Sequence, residues 1–175
     1  MTADDQQERL DAQWVTGFVD GEGCFHVSIN KVREMSIGWQ ELPEFRVVQH
    51  ERDQSVLEEL RRFFNAGKVV VNHGSRKELR IRKLSELKEI VSFFKRYPLK
   101  TKKEKDLEIF EQILELMEQR EHLTVAGLTK IANLCWAMNR KVKPRFLESS
   151  ETIRQKSRKR LRYSPTPVAI QGGLQ

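Results

Sequence analysis

The run WVTGFVDGEGCF, at residues 14–25, constrains the fold more than any other stretch of the 175-residue chain. Up to Gly21 its apolar residues recur at the spacing of one helix face, with Trp14 and Phe18 on the same side. The stretch CFHVSINK alternates apolar and polar residues, which is the pattern of a half-buried strand. The sequence therefore predicts a helix over about residues 6–21 that leads directly into a β-strand.

One face of this helix carries small residues where large ones are expected. Gly17 and Gly21 are four residues apart, so they lie on the same side of the helix as Trp14 and Phe18. A second copy of the helix could approach this side closely, backbone against backbone. We therefore predict that these four residues form a dimer interface.

Two carboxylates, Asp20 and Glu22, stand among glycines where the helix ends. In a close dimer, two negative helix ends, the Gly21 carbonyls and two Glu22 carboxylates would converge and repel one another unless cations lay between them. Oxygen ligands of this kind favour a hard divalent ion such as Mg²⁺. Glycine-rich helix ends with carboxylates also occur as ordinary caps or turns, and the spacing alone leaves both readings open.

Two β-hairpins and two helices follow. The strands lie in CFHVSINK and ELPEFRVVQH, and then in KVVVNHGSRKELRIRK around a turn near residues 73–75. Between the hairpins, Asp53 is the predicted N-cap of a helix; after them, Ser85 is the predicted N-cap of another, which Pro98 ends. The order αββαββα predicts an α+β fold in which helices cover one face of a four-stranded antiparallel sheet.

The rest of the chain is predicted to be helical at residues 105–119, 124–139 and 150–160. The last stretch, SPTPVAIQGGLQ at 164–175, has little to bury and is predicted to be disordered. Nothing in the length requires two domains, so residues 1–163 are assigned to one.

Charge is distributed unevenly along a chain with a net charge of +7. Residues 154–162 (RQKSRKRLR) are almost continuously basic, and the second hairpin carries five basic residues against one acidic residue between positions 68 and 82. Alternation of apolar and polar residues occurs in every sheet with one solvent-exposed face. It is therefore the positive sign of these charges that indicates binding to a polyanion. The predicted DNA-contacting residues are His26, Ser28, Asn30, Lys31, Arg33, Gln40, Glu44, Arg46, Lys68, Val70, Asn72, Arg76, Lys77, Glu78, Arg80 and Arg82.

Other classes of protein do not fit the composition. No apolar run approaches the roughly 20 residues of a membrane span, and the acidic start MTADDQQERL lacks the pattern of a secretory or transit peptide. We expect a protein that is not secreted and stays where it is made, in a bacterial cytoplasm or an organelle. Two cysteines are too few for a disulfide framework.

The run WVTGFVDGEG resembles the signature of the LAGLIDADG homing endonucleases, in particular the intron-encoded class with a single motif. The resemblance extends to the order of elements, to YPLKTKKEKDLEIF and to ESSETIRQ. It implies a homodimer in which the motif helices pack together and two saddle-shaped sheets straddle a long, roughly palindromic site in double-stranded DNA.

The resemblance also implies roles for individual residues. Glu22 is the expected metal ligand, helped by the Gly21 carbonyl, while Asp20 supports the helix end. Gln49 matches a glutamine that orders water near the metal, and Lys102 matches a lysine near the scissile phosphate, with Lys100 as the alternative. The expected cofactor is Mg²⁺; Mn²⁺ is expected to substitute for it, and Ca²⁺ to bind without supporting turnover.

The predicted function is a site-specific double-strand DNA endonuclease that hydrolyses one phosphodiester in each strand. Two alternatives use the same fold: a maturase that holds its own intron RNA, and a DNA-binding regulator without catalysis. Neither alternative requires Glu22, Gln49 and Lys102 together, so their joint presence favours the enzyme.

Overall fold

A computed structural model gives the structure of residues 10–138 and 144–148. The helices and strands follow the predicted order αββαββα, with further helices after it. They are α1 (Ala12–Glu22), β1 (Gly23–Lys31), β2 (Trp39–His50), α2 (Gln54–Phe64), β3 (Lys68–His73), β4 (Arg76–Ile81), α3 (Leu84–Arg96), α4 (Lys103–Glu118) and α5 (Val125–Ala137).

The four strands form one sheet in the order β1-β2-β4-β3, and every neighbouring pair is antiparallel. Apolar residues on one face of the sheet pack against α2, α3 and α4. At the centre, the Phe25 ring lies 5.2 Å from that of Phe45, 5.9 Å from that of Phe94 and 5.4 Å from that of Phe110, between ring centroids. The α+β class with helices on one face is therefore confirmed.

Two helix starts differ from the prediction. Helix α1 begins at Ala12, because the Asp11 carboxylate accepts hydrogen bonds from the backbone N–H groups of Gln13 (2.7 Å) and Trp14 (3.1 Å). In α3 the N-cap residue is Lys83, whose backbone is extended, so Ser85 lies inside the helix and was wrongly predicted to cap it. Asp53 does precede α2, but its side chain makes no capping hydrogen bond.

The C-terminal elements pack on the outer end of the first hairpin. Phe146, in a short 3-10 turn at Arg145–Glu148, makes an edge contact with Trp39 at 5.4 Å between ring centroids. Leu128 and Ala132 of α5 complete this second apolar cluster. The helix predicted at 150–160 and the tail at 164–175 lie outside the described residues, as does the basic run at 154–162.

No helix within residues 10–138 and 144–148 combines the length and the apolar character needed to cross a membrane.

Candidate active site

Helix α1 has one face in the core and another that is exposed. Val15 and Val19 are completely buried, whereas Trp14 is 45% exposed and stacks on Phe18, with 4.9 Å between the ring centroids. Of the four residues predicted to form a dimer interface, Trp14, Gly17 and Gly21 are therefore exposed, while Phe18 is partly buried against the core.

Within the described residues, neither Gly17 nor Gly21 packs against another part of the chain. A Cβ atom built on Gly17 or Gly21 would meet no atom within 4 Å. Glycine in the interior of a helix makes the helix less stable than alanine does, by about 0.5–1 kcal/mol. The contacts of a single chain thus leave these glycines unexplained, and the close approach of a second helix would explain them.

The end of α1 is tied to the segment that precedes α4. The Asp20 carboxylate accepts hydrogen bonds from the backbone N–H of Lys100 (2.7 Å), the backbone N–H of Thr101 (3.1 Å) and the Thr101 hydroxyl (2.6 Å). Burial raises the pKa of Asp20, but the hydrogen bonds from Thr101 and Lys100 together outweigh burial, so the pKa lies below its ordinary value. Asp20 thus holds the lysine-rich segment against the helix end, as the resemblance implied.

Lys103 makes the reciprocal connection. Its ammonium group donates hydrogen bonds to the carbonyl oxygens of Val19 (2.8 Å) and Asp20 (2.9 Å), at the negative end of the helix. Burial lowers the pKa of Lys103, and the nearby negative charges of Asp20 and Glu22 oppose this change. Lys103 is therefore a cationic cap on the helix that carries the candidate metal ligand.

Sequence reasoning missed Lys103, since it considered Lys100 and Lys102 alone. A usable signal was present: Lys103 lies four and seven residues before Leu107 and Phe110, which are both buried. Residues at this spacing share one helix face, so the pattern places Lys103 on the side of α4 that faces the core.

The predicted catalytic residues lie at one end of the sheet. Glu22 is the last residue of α1 and is exposed. Because Gly23 pairs with Val47, Gln49 lies just two residues beyond that pair on β2, at the end of the sheet where α1 delivers Glu22. Lys102 is exposed and adjoins the anchored Lys103.

The end of α1 offers oxygen donors for a divalent cation. Among the described residues, no group of three or more His, Cys, Asp or Glu side chains could hold a metal ion. The Glu22 carboxylate and the Gly21 carbonyl are hard oxygen donors of the kind that Mg²⁺ prefers. The donor set fits Mg²⁺ in type, and two α1 ends together would double it in number.

Most of the predicted DNA-contacting residues lie on the sheet face opposite the helices. The pairs His26–Glu44, Asn30–Gln40, Arg46–Arg80 and Lys68–Arg80 face each other across neighbouring strands. Arg33 lies in the turn between β1 and β2.

Two lysines of the predicted set do not share that face. Lys77 pairs with Gln49, and Lys31 pairs with Trp39. Along each strand these positions alternate with those of the polar face, so both lysines lie on the other face of the sheet. The Lys31 ammonium lies 5.9 Å from the centroid of the Trp39 ring. This register corrects their grouping with the polar-face residues, although their contact with DNA stays a prediction.

Two acidic residues of the polar face are buried under arginines. Glu44 is 6% exposed and Glu78 is not exposed at all. Glu44 pairs with Arg82 at 2.8 Å and with Arg46 at 3.2 Å, while Glu78 accepts hydrogen bonds from Arg80 and Asn72. The carboxylates thus contact neighbouring side chains of the same surface.

Comparisons with known proteins identify the family. The sequence model of the family described as LAGLIDADG endonuclease matches residues 15–114. Probable intron-encoded endonuclease 2 of Neurospora crassa is 35% identical over 144 residues, which cover 78% of this chain and 32% of that protein. The crystal structure of the homing endonuclease I-TnaI is 52% identical, has a TM-score of 0.76, and is matched over 82% of this chain and 98% of its own.

A further solved structure is that of I-SmaMI bound to an uncleaved DNA target in the presence of calcium ions. It is 34% identical, has a TM-score of 0.76, and is matched over 79% of this chain and 48% of its own.

The chain therefore belongs to the LAGLIDADG endonuclease family, and the resemblance drawn from WVTGFVDGEG is confirmed. It spans about a third of the length of the Neurospora crassa relative and almost all of the I-TnaI chain.

Replacement of Asp20 by asparagine should lower stability in a pH-dependent way. Because the folded state lowers the pKa of Asp20 below 3.8, its charge stabilises the fold above that pH, and this contribution is lost as the pH falls through the folded-state pKa. Urea unfolding at pH 7 should show a deficit for Asp20→Asn that narrows below pH 3.8. Glu108→Gln, at an exposed position of α4, is the control. A deficit independent of pH would contradict the role of the Asp20 charge.

Adjacent lysines should differ sharply in their effect on stability. Lys103→Met keeps the apolar stem but leaves two helix-end carbonyls without their charged donor, so the free energy of unfolding should fall by about 1–3 kcal/mol. Lys102→Met, at an exposed position, should change it by at most about 0.5 kcal/mol. Urea denaturation followed by circular dichroism measures both. Equal effects of the two substitutions would argue against the helix-capping role of Lys103.

Proposed function

We propose that this chain is one subunit of a homodimeric, Mg²⁺-dependent DNA endonuclease that cuts a long, roughly palindromic site in double-stranded DNA. Each subunit hydrolyses one phosphodiester bond in one strand. The observation that carries the proposal is the position of Glu22: an exposed carboxylate at the end of a helix in which a Cβ atom on Gly17 or Gly21 would contact none of the described residues.

The exposed face of α1 supports the proposed homodimer. Trp14 is a large exposed aromatic residue that stacks on the partly buried Phe18, and burial of such a side chain stabilises an interface strongly. Gly17 and Gly21 would allow the two helices to approach without steric conflict. A two-fold axis between the helices would bring both Glu22 carboxylates together, because the same surface is used by each subunit.

The same convergence of two α1 ends supports the proposed metal site. Two carboxylates and two helix ends repel one another, and Mg²⁺ bound to Glu22 and the Gly21 carbonyl of each subunit would relieve that repulsion. I-SmaMI was solved bound to an uncleaved DNA target in the presence of calcium ions, which supports the use of a divalent ion here. Bound Mg²⁺ would supply the Lewis acidity for hydrolysis. We expect Mn²⁺ to substitute, and Ca²⁺ to bind without supporting turnover.

The chain's own side chains would do the remaining work. Lys102 would stabilise negative charge that develops on the phosphate, and Gln49 would orient the attacking water. Lys103 would hold the end of α1 in place, through its hydrogen bonds to Val19 and Asp20, while Glu22 binds the metal.

DNA would lie along the polar face of the sheet. The row of Arg46, Arg80 and Lys68 crosses three adjacent strands, so it offers cations for phosphates and guanidinium groups for base edges. The DNA-bound state of the family member I-SmaMI supports this assignment.

Glu22→Gln should abolish cleavage but leave DNA binding largely unchanged. The substitution removes a charged metal ligand but no phosphate or base contact in the proposed arrangement. The measurement is cleavage of a library of long duplexes with Mg²⁺, beside binding of the same library with Ca²⁺; Glu108→Gln is the control. If Glu22→Gln cuts at the rate of the parent, the assigned metal site is wrong. If the parent binds its own intron RNA and cuts no DNA, the maturase alternative replaces this proposal.

A further inference from the structure

Three cations form a row across the polar face of the sheet. Arg46 on β2, Arg80 on β4 and Lys68 on β3 are direct cross-strand neighbours. Like charges placed directly opposite one another destabilise a sheet. The row therefore needs compensating anions close by, and the two buried glutamates supply them.

Glu78 is the more deeply buried of the two. Its cross-strand neighbours on either side are the apolar residues Val48 and Val70. The side chain has no exposed surface, so in this conformation it offers nothing for a base or a phosphate to contact. A residue that cannot be reached by DNA does not read DNA directly.

The contacts of Glu78 fix the orientation of Arg80. Both Nε and Nη2 of Arg80 approach one carboxylate oxygen of Glu78, and the other oxygen accepts a hydrogen bond from the Asn72 amide. A guanidinium held at two nitrogens on one edge keeps a single plane. The opposite edge then points away from the carboxylate, in a direction that is set before any ligand arrives.

Glu44 repeats this arrangement on the neighbouring strand. One of its carboxylate oxygens accepts from Arg82, and the other lies 3.2 Å from the Nε atom of Arg46. Three arginines of the polar face are thus each held by a carboxylate that is almost completely buried.

We propose that Glu78 and Glu44 are positioning residues that set base preference through these arginines and contact no base themselves. An arginine that reads guanine must present two N–H groups in one plane. If the guanidinium plane is already ordered in the folded protein, the arginine loses less conformational entropy when it binds DNA. The inference rests on the proposed recognition of DNA and adds to it the source of specificity.

Selections from a randomised duplex library test the role of Glu78. The proteins compared are the parent, Glu78→Gln, Arg80→Ala, the double variant, and Glu89→Gln as a control that removes one charge from an exposed position of α3. Circular dichroism first establishes that each is folded. Affinity for one non-target duplex is measured in parallel.

Glu78→Gln should lose preference, by about tenfold or more, at the same base pairs as Arg80→Ala, and the double variant should lose no more. Its affinity for the non-target duplex should rise or stay constant, because a negative charge has been removed from the binding surface. Glu89→Gln should keep the preference of the parent. Glu44→Gln should act at different base pairs, those affected by Arg82→Ala or Arg46→Ala.

Two results would overturn the inference while leaving the proposed function intact. One is an unchanged base preference in folded Glu78→Gln. The other is a change at base pairs that Arg80→Ala does not affect, which would mean that Glu78 contacts bases itself. A parent chain that selects no sequence would instead overturn the proposed function, and this inference with it.

If Glu78→Gln does not fold, Arg80→Lys provides the test. Lysine retains the positive charge but has no Nε edge to be held by the carboxylate. This variant should bind the non-target duplex like the parent and should lose preference at the base pairs identified with Arg80→Ala. Retained preference in Arg80→Lys would overturn the inference.

Discussion

The rest of the site depends on one constraint: the carboxyl end of α1 must be exposed and still be held rigidly. Lys103 holds this helix end by donating hydrogen bonds to the carbonyl oxygens of Val19 and Asp20. Asp20 also holds it, because its carboxylate accepts hydrogen bonds from the backbone N–H groups of Lys100 and Thr101. A Cβ atom at Gly23 would lie 2.5 Å from a Val19 methyl group, so glycine there lets the chain turn directly from helix into strand. The backbone that carries the Glu22 side chain is therefore held in a fixed position.

The polar face of the sheet follows the same design with opposite charges. At the helix end the half-buried ammonium group of Lys103 stabilises backbone carbonyl oxygens, and on the sheet buried carboxylates stabilise partly exposed arginines. Pairing is required in both places because an unpaired buried charge is strongly destabilising. In both places it also fixes the direction of a functional group before a ligand binds, so folding prepares the surface that the proposed function needs.

The periodicity of the sequence was enough to predict the order of the helices and strands, whereas the site residues were assigned through the resemblance to the family. Alternation in CFHVSINK and FRVVQH gives the strands and their faces, since side chains of a strand point alternately to its two sides. Alternation does not reveal burial, so Glu44 and Glu78 were expected at the surface and not beneath arginines. The run KTKKEK contains several lysines that composition alone cannot tell apart. Only the helical spacing of Lys103 to Leu107 and Phe110 distinguishes it from its neighbours. The start of α3 was misplaced because Ser85 has the chemistry of a cap, while backbone geometry gives that position to Lys83.

The central claim is that the glycine face of α1 joins two copies and so completes the site. Sedimentation velocity of the parent, of Gly17→Leu and of the control Ala126→Leu, which enlarges an exposed position of α5, tests it most directly. The parent and the control should sediment as dimers of the 20.6 kDa chain. Gly17→Leu should remain folded by circular dichroism and sediment as a monomer, because a branched side chain would hold the helices apart. A parent that is monomeric at all concentrations, or a Gly17→Leu variant that dimerises like the parent, would contradict it.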